Sequence, residues 1–157
     1  MIPLLRFFHI VGLSMFFGSI LGHVATSLVH VAGDTPTSML AVRQAIVLGD
    51  WYVTVPGLAI AFASGAILAA NSRYTSNMRL ALHILIAVVI LAIAGFVLLP
   101  VAFELRNGAE RVAAGAATGN AIVTTAQRET IFGATNIALT VVAIAAGVAL
   151  AKSRIDK

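Results

Sequence analysis

The chain has 157 residues, 60% of them hydrophobic and only 10% charged, with a mean hydropathy of +1.01. A water-facing surface takes roughly 25% charged residues, so this composition excludes a soluble enzyme and a disordered tail alike. The net charge of +4 comes from ten Lys and Arg scattered singly at the ends of apolar runs, the pattern of bilayer orientation signals rather than of a nucleic-acid surface. With no cysteine, the chain has no disulfide, thiolate metal site, iron–sulfur cluster or cysteine nucleophile.

A helix crosses the hydrocarbon core with about 20 mostly apolar residues. Four segments meet that length, and they predict an all-α integral membrane four-helix bundle forming one domain over 1–157, with spans at about 3–31, 52–70, 80–103 and 131–151. Span one is too long for the apolar region of a signal peptide, and it carries histidines. Gly33-Asp34-Thr35-Pro36 reads as a break and a new start, with Asp34 or Thr35 as the cap and Pro36 in the first turn. Residues 36–48 then form a short interfacial helix leading into span two. Residues 71–77 read as a tight polar turn, and the stretch from Arg106 to Arg128 as a loop with partial helix outside the membrane. No internal repeat stands out.

An even number of spans leaves both termini on one side. That side carries Arg6, Arg73, Arg79, Lys152, Arg154 and Lys157, against Arg43, Arg106, Arg111 and Arg128 on the other. Six against four predicts cytoplasmic termini in a bacterial inner membrane.

Metal-binding or ionisable side chains inside a span are costly, and a functional role is the default reading. Span one holds His9, His23 and His30, which at 100° per residue fall within an arc of about 60°. Along the axis His9 and His23 stand roughly 21 Å apart, and His30 reaches the far interface, where headgroup hydrogen bonding suffices to explain it. Span three carries His83 just after Arg79, at the depth of His9. Two neutral imidazoles facing each other across a bundle supply both axial ligands of haem b, so His9 and His83 are the candidate metal ligands. A structural role for the pair, or another metal or a proton relay, stays open.

The 14-residue spacing of His9 and His23 looks like that of transmembrane dihaem cytochromes, but Val97 stands where a partner 14 residues beyond His83 belongs. At most one bis-His haem is therefore supported within a single chain. His23, with no charged partner evident, remains a candidate cofactor-binding residue that needs Met15, a water or a second protomer. Met15, Met39, His23, His30 and Asp34 form a weaker copper-binding set, and Met15 reads equally as packing.

Gly18 and Gly22, opposite the histidines, permit close helix approach, within the bundle first and between protomers second; Gly65 and Gly95 read the same way. Trp51 and Tyr52 anchor span two at an interface. Asp50, if submerged, needs Arg43 or Arg128 beside it. Pro56 and Pro100 kink their helices or sit in first turns, with Thr54 satisfying a freed backbone group. No serine or threonine has a histidine–carboxylate companion at a nucleophile spacing.

The segments Leu5-Arg6-Phe7-Phe8-His9-Ile10-Val11-Gly12 and Gly49-Asp50-Trp51-Tyr52-Val53-Thr54-Val55-Pro56-Gly57, with the Leu98-Leu99-Pro100 end of span three, resemble a bacterial family of small four-span predicted integral membrane proteins of unknown function. More distantly they resemble the membrane domain of CopD copper-resistance proteins and the haem-binding protoporphyrinogen oxidase HemJ, through the Arg6-x-x-His9 start of the first helix. The resemblance implies a haem or copper connection rather than a reaction. Three functions follow as expectations. One is a b-type cytochrome passing electrons between quinol and a partner, as a homo-oligomer or as a subunit of a larger membrane complex. The others are a non-catalytic assembly subunit and a copper-handling protein.

Overall fold

The computed structural model describes residues 2–29, 35–71 and 78–155, and among these every regular element is helical. Helix α1 runs Ile2–Val29, α2 Pro36–Gly49, α3 Val55–Ala70, α4 Met78–Ile93, α5 Leu99–Ala113 and α6 Val123–Ile155. Single π-turns at Asp50–Thr54 and Ala94–Leu98 join α2 to α3 and α4 to α5, so each pair forms one unbroken helical rod. Four stretches are long and apolar enough to cross a bilayer: Ile2–Thr26, Pro36–Ala70, Met78–Ala113 and Val123–Ala149. The protein is a membrane-embedded helical bundle in contact with lipid.

Both π-turns have the same cause in the sequence. Pro56 and Pro100 each stand two residues past a π-turn, near the start of α3 and α5. A proline cannot donate to the carbonyl four residues back, and its ring crowds that carbonyl. One widened turn lets the helix continue past the ring. The prolines therefore do not begin span two or end span three. Residues 36–48 are the first half of a rod 36–70, not a separate interfacial helix, and span three continues as helix to Ala113. Thr35 is the cap, its Oγ1 accepting the Ser38 N–H at 3.2 Å ahead of Pro36.

The stretch from Arg106, expected as a loop with partial helix, is helical through Ala113 for a different reason. Val101, Ala102, Leu105 and Ala109 make one buried stripe on α5, packed against α2. The helix ends where Gly115 takes φ 71. Its N–H returns to Val112 O and that of Ala116 to Arg111 O, at 3.0 and 2.8 Å, a Schellman close that leaves only a short link into α6. Helices α2 and α5 and the start of α6 thus build a small head on the side opposite the termini. Arg43 Nη1 on Glu129 Oε2 at 2.6 Å and the Thr125 hydroxyl on Glu104 Oε1 at 3.1 Å tie it together.

Within the membrane the four spans form two pairs, α1 with α3 and α4 with α6, and contacts between the pairs are sparse. Helices α1 and α3 nearly touch backbones. A Cβ at Gly12 would lie 2.5 Å from Ala61 N, and one at Gly57 2.8 Å from Phe16 N. Small residues permit such approach where lipid offers no hydrophobic drive to association. Phe16, Ile20, Ile86, Ile90, Ala94 and Ala143 fill the centre, with Leu58, Ile137 and Leu139 against them. Large apolar side chains such as Phe7, Phe62, Phe96 and Val148 face outward, as a lipid-facing surface requires.

Gly18 and Gly22 depart from the expected intramolecular packing. Nothing approaches within 4 Å of the Cβ either would carry, and with Ser14 they line the lipid-exposed side of α1. Gly95 is similarly open.

Candidate functional site: a histidine pair between two helix pairs

His9 and His83 meet. Their ring centroids are 6.5 Å apart with the planes inclined at 63°. Each arrives from the first helix of its pair, and each is fixed by the second. His9 Nδ1 donates to Ala61 O of α3 at 2.8 Å, and His83 Nδ1 donates to Ala143 O of α6 at 3.1 Å. A carbonyl oxygen only accepts, so both Nδ1 atoms carry the proton, and in the neutral ring Nε2 keeps its lone pair. Backbone carbonyls of this kind orient metal-ligating histidines from behind.

The two halves repeat the arrangement. Gly65 lies four residues past Ala61, and Gly147 four past Ala143. A Cβ on the first would stand 2.9 Å from His9 Cε1, and on the second 3.6 Å from His83 Cε1. The sequence carries the match: Ala61-Phe62-Ala63-Ser64-Gly65 against Ala143-Ile144-Ala145-Ala146-Gly147. The match is local, three identical residues in five, and in both halves it sets the accepting alanine carbonyl and, one turn on, a glycine against the histidine of the first helix. Ala61, Gly65, Ala143 and Gly147 are the residues that reading histidines alone misses. Ser64 adds its hydroxyl 3.4 Å from His9 Nδ1.

Between the pairs lies a cavity of about 50 Å³, lined by the two histidines, Thr140 and apolar side chains including Leu13, Phe62 and Ile144. Thr140 donates to Asn136 O at 2.7 Å. One turn above it, Asn136 is fully buried, and its side-chain nitrogen and oxygen have no hydrogen-bond partner among the described residues.

His23 stands apart from this centre, with Asp50 as the charged partner the sequence did not reveal. His23 Nδ1 lies 3.6 Å from Asp50 Oδ1 and Nε2 lies 3.4 Å from Ser19 Oγ, which is 2.7 Å from Thr54 Oγ1. The π-turn makes this cluster. It brings Asp50 and Thr54 against α1 while Trp51 and Tyr52 remain exposed. Neither basic residue expected at Asp50 pairs with it, because Arg43 binds Glu129 instead. Met15 packs on Gly57 rather than serving His23. His30 and Asp34 lie outside the described residues, and among those described no three His, Cys, Asp or Glu side chains gather as a metal site.

Four apolar spans, paired helices and a half-buried imidazole pair between them define a helical integral membrane protein. The chain belongs to the family described as predicted integral membrane protein (DUF2269), whose model matches residues 3–152. No curated protein and no solved structure matches it.

Proposed function

We propose that the protein binds haem b within the bilayer and moves electrons there, with His9 and His83 as the axial ligands. The observation that carries this reading is the shared anchoring of the two rings. Both Nδ1–H groups are tied to backbone carbonyls of the opposite helix in each pair.

The donor set also selects the kind of metal group. A bare ion wants three or four protein donors, and among the described residues only two converge here. Two suffice when a porphyrin supplies the remaining positions. The cavity of about 50 Å³ is smaller than a macrocycle, so binding requires the α1–α3 and α4–α6 pairs to part. Sparse contact between the pairs favours that movement, while the tight Gly12–Gly57 seam keeps His9 with its own carbonyl.

Bound haem supplies a reversible one-electron carrier. His9 and His83 hold it, Ala61 and Ala143 keep their Nε2 lone pairs directed, and the apolar lining excludes water. In the wider setting the protein acts as a homo-oligomer or as a subunit of a larger membrane complex. Exchange of either histidine for alanine, in protein purified from haem-replete cells, tests the assignment. The expected result is loss of haem from both single variants. Retention by both rejects this ligation.

A further inference from the structure

The Ser19–His23–Asp50–Thr54 cluster has no counterpart in the other half of the bundle. The position 14 residues beyond His83 is Val97, inside the second π-turn. With a valine there, the cluster does not form half of a second bis-His site like the His9–His83 pair, and its polar groups are open to another occupant.

We propose that the cluster binds the headgroup of a lipid-soluble quinone or hydroquinone, entering sideways from the bilayer. Depth is the first reason. His23 lies about 26 Å along α1 from Arg6, near the far edge of a hydrocarbon core roughly 30 Å thick. Access is the second, because the His23 side chain is 24% exposed in a helix whose surroundings are lipid. Chemistry is the third. A quinone head needs hydrogen-bond donors and a hydroquinone needs acceptors, and an imidazole flanked by two hydroxyls and a carboxylate offers both. Gly49 clears the imidazole, since a Cβ there would meet Nε2 at 2.8 Å. Trp51 and Phe103, with ring centroids 6.3 Å apart, put an aromatic pair at the same level.

Charge separates this occupant from the abundant alternative. Arg43 is engaged by Glu129 and Asp50 faces His23, so neither carboxylate invites a phosphate or fatty-acid headgroup and Arg43 is not available to hold one, whereas a neutral quinone needs no cation. One carboxylate and one imidazole are also too few donors for a metal ion.

The proposal supplies a redox partner for the haem reading, but binding itself does not rest on haem. Trp51 is the only tryptophan in the chain and adjoins Asp50, so it reports occupancy directly. The test is quenching of Trp51 fluorescence by decyl-benzoquinone, with the full chain in nanodiscs of neutral lipid. Wild type should quench saturably, and Asp50→Asn and His23→Leu should weaken binding tenfold or more, with Ser19→Ala intermediate. Each variant is checked for unchanged helix content, so that Ser19→Ala still decides if the others misfold. Non-saturating quenching, identical in all variants, overturns the proposal, and so does displacement of the quinone by anionic lipid at equal concentration. Saturable quenching in protein without a haem spectrum rejects only the haem reading. A haem spectrum with no saturable quenching rejects only the quinone site.

Discussion

Gly65 and Gly147 each stand one helical turn beyond the alanine whose carbonyl holds a histidine, and each faces the Cε1 edge of that ring, but Gly65 stands closer. At 2.9 Å a Cβ on Gly65 forces the His9 imidazole to move, whereas 3.6 Å at Gly147 is ordinary contact. Gly65→Ala should therefore lower the bound-haem fraction several-fold, and Gly147→Ala should leave it near wild type. Haem absorbance per mole of protein after gel filtration measures both; equal loss in the two variants contradicts the geometry.

The α1–α3 seam gives a stability prediction that involves no cofactor. The atoms a Cβ on Gly12 would strike, Ala61 N and Gly57 O, are backbone and cannot rotate aside. Gly12→Ala should cost about 1–3 kcal/mol as an overpacking defect, read as a lowered melting temperature in detergent. The same change at Gly95, which faces open space, should be close to neutral.

Arg43 and Glu129 join residues 86 apart across the head, and both side chains are largely shielded. Arg43→Ala should cost about 1–2 kcal/mol, since a charge-assisted hydrogen bond is lost and a carboxylate is left without its partner. Combining it with Glu129→Gln should cost less than the two single changes summed, because they share one interaction. Additive losses in chemical denaturation would show that the pair contributes nothing.

Ser14, Gly18 and Gly22 recur every four residues on the lipid-exposed side of α1, with open space over both glycines. Such a stripe lets a second helix approach closely. If the protein self-associates through α1, Gly18→Leu should shift it to monomer in crosslinking and light-scattering measurements while helix content stays constant. An unchanged oligomeric state excludes this face as the contact.

The sequence reveals most of the histidine pair and little of the polar cluster. Arg6 and Arg79 mark the same boundary, so periodicity alone brings His9 and His83 to one depth. Their shared support is harder to read, because alanine and glycine are common in any apolar span and an Ala-x-x-x-Gly repeat attracts no notice until two carbonyls are seen to accept from two rings. Asp50 is harder still. Beside Trp51, Tyr52 and Pro56 it resembles the polar start of a span, and only the π-turn that absorbs the proline carries it against His23. The head is misread for a related reason. The apolar stripe on α5 is diluted by Glu104, Arg106, Glu110 and Arg111, which reads as a loop with only partial helix until α2 supplies the surface it packs on.

The central claim is that His9 and His83, each held by a backbone carbonyl of its partner helix, form a haem site. An optical spectrum of the protein purified in mild detergent, oxidised and then reduced with dithionite, tests it most directly. The account predicts a Soret band and sharp α and β bands on reduction, the signature of low-spin bis-histidine haem b. A featureless spectrum, from cells supplied with ample haem, contradicts it.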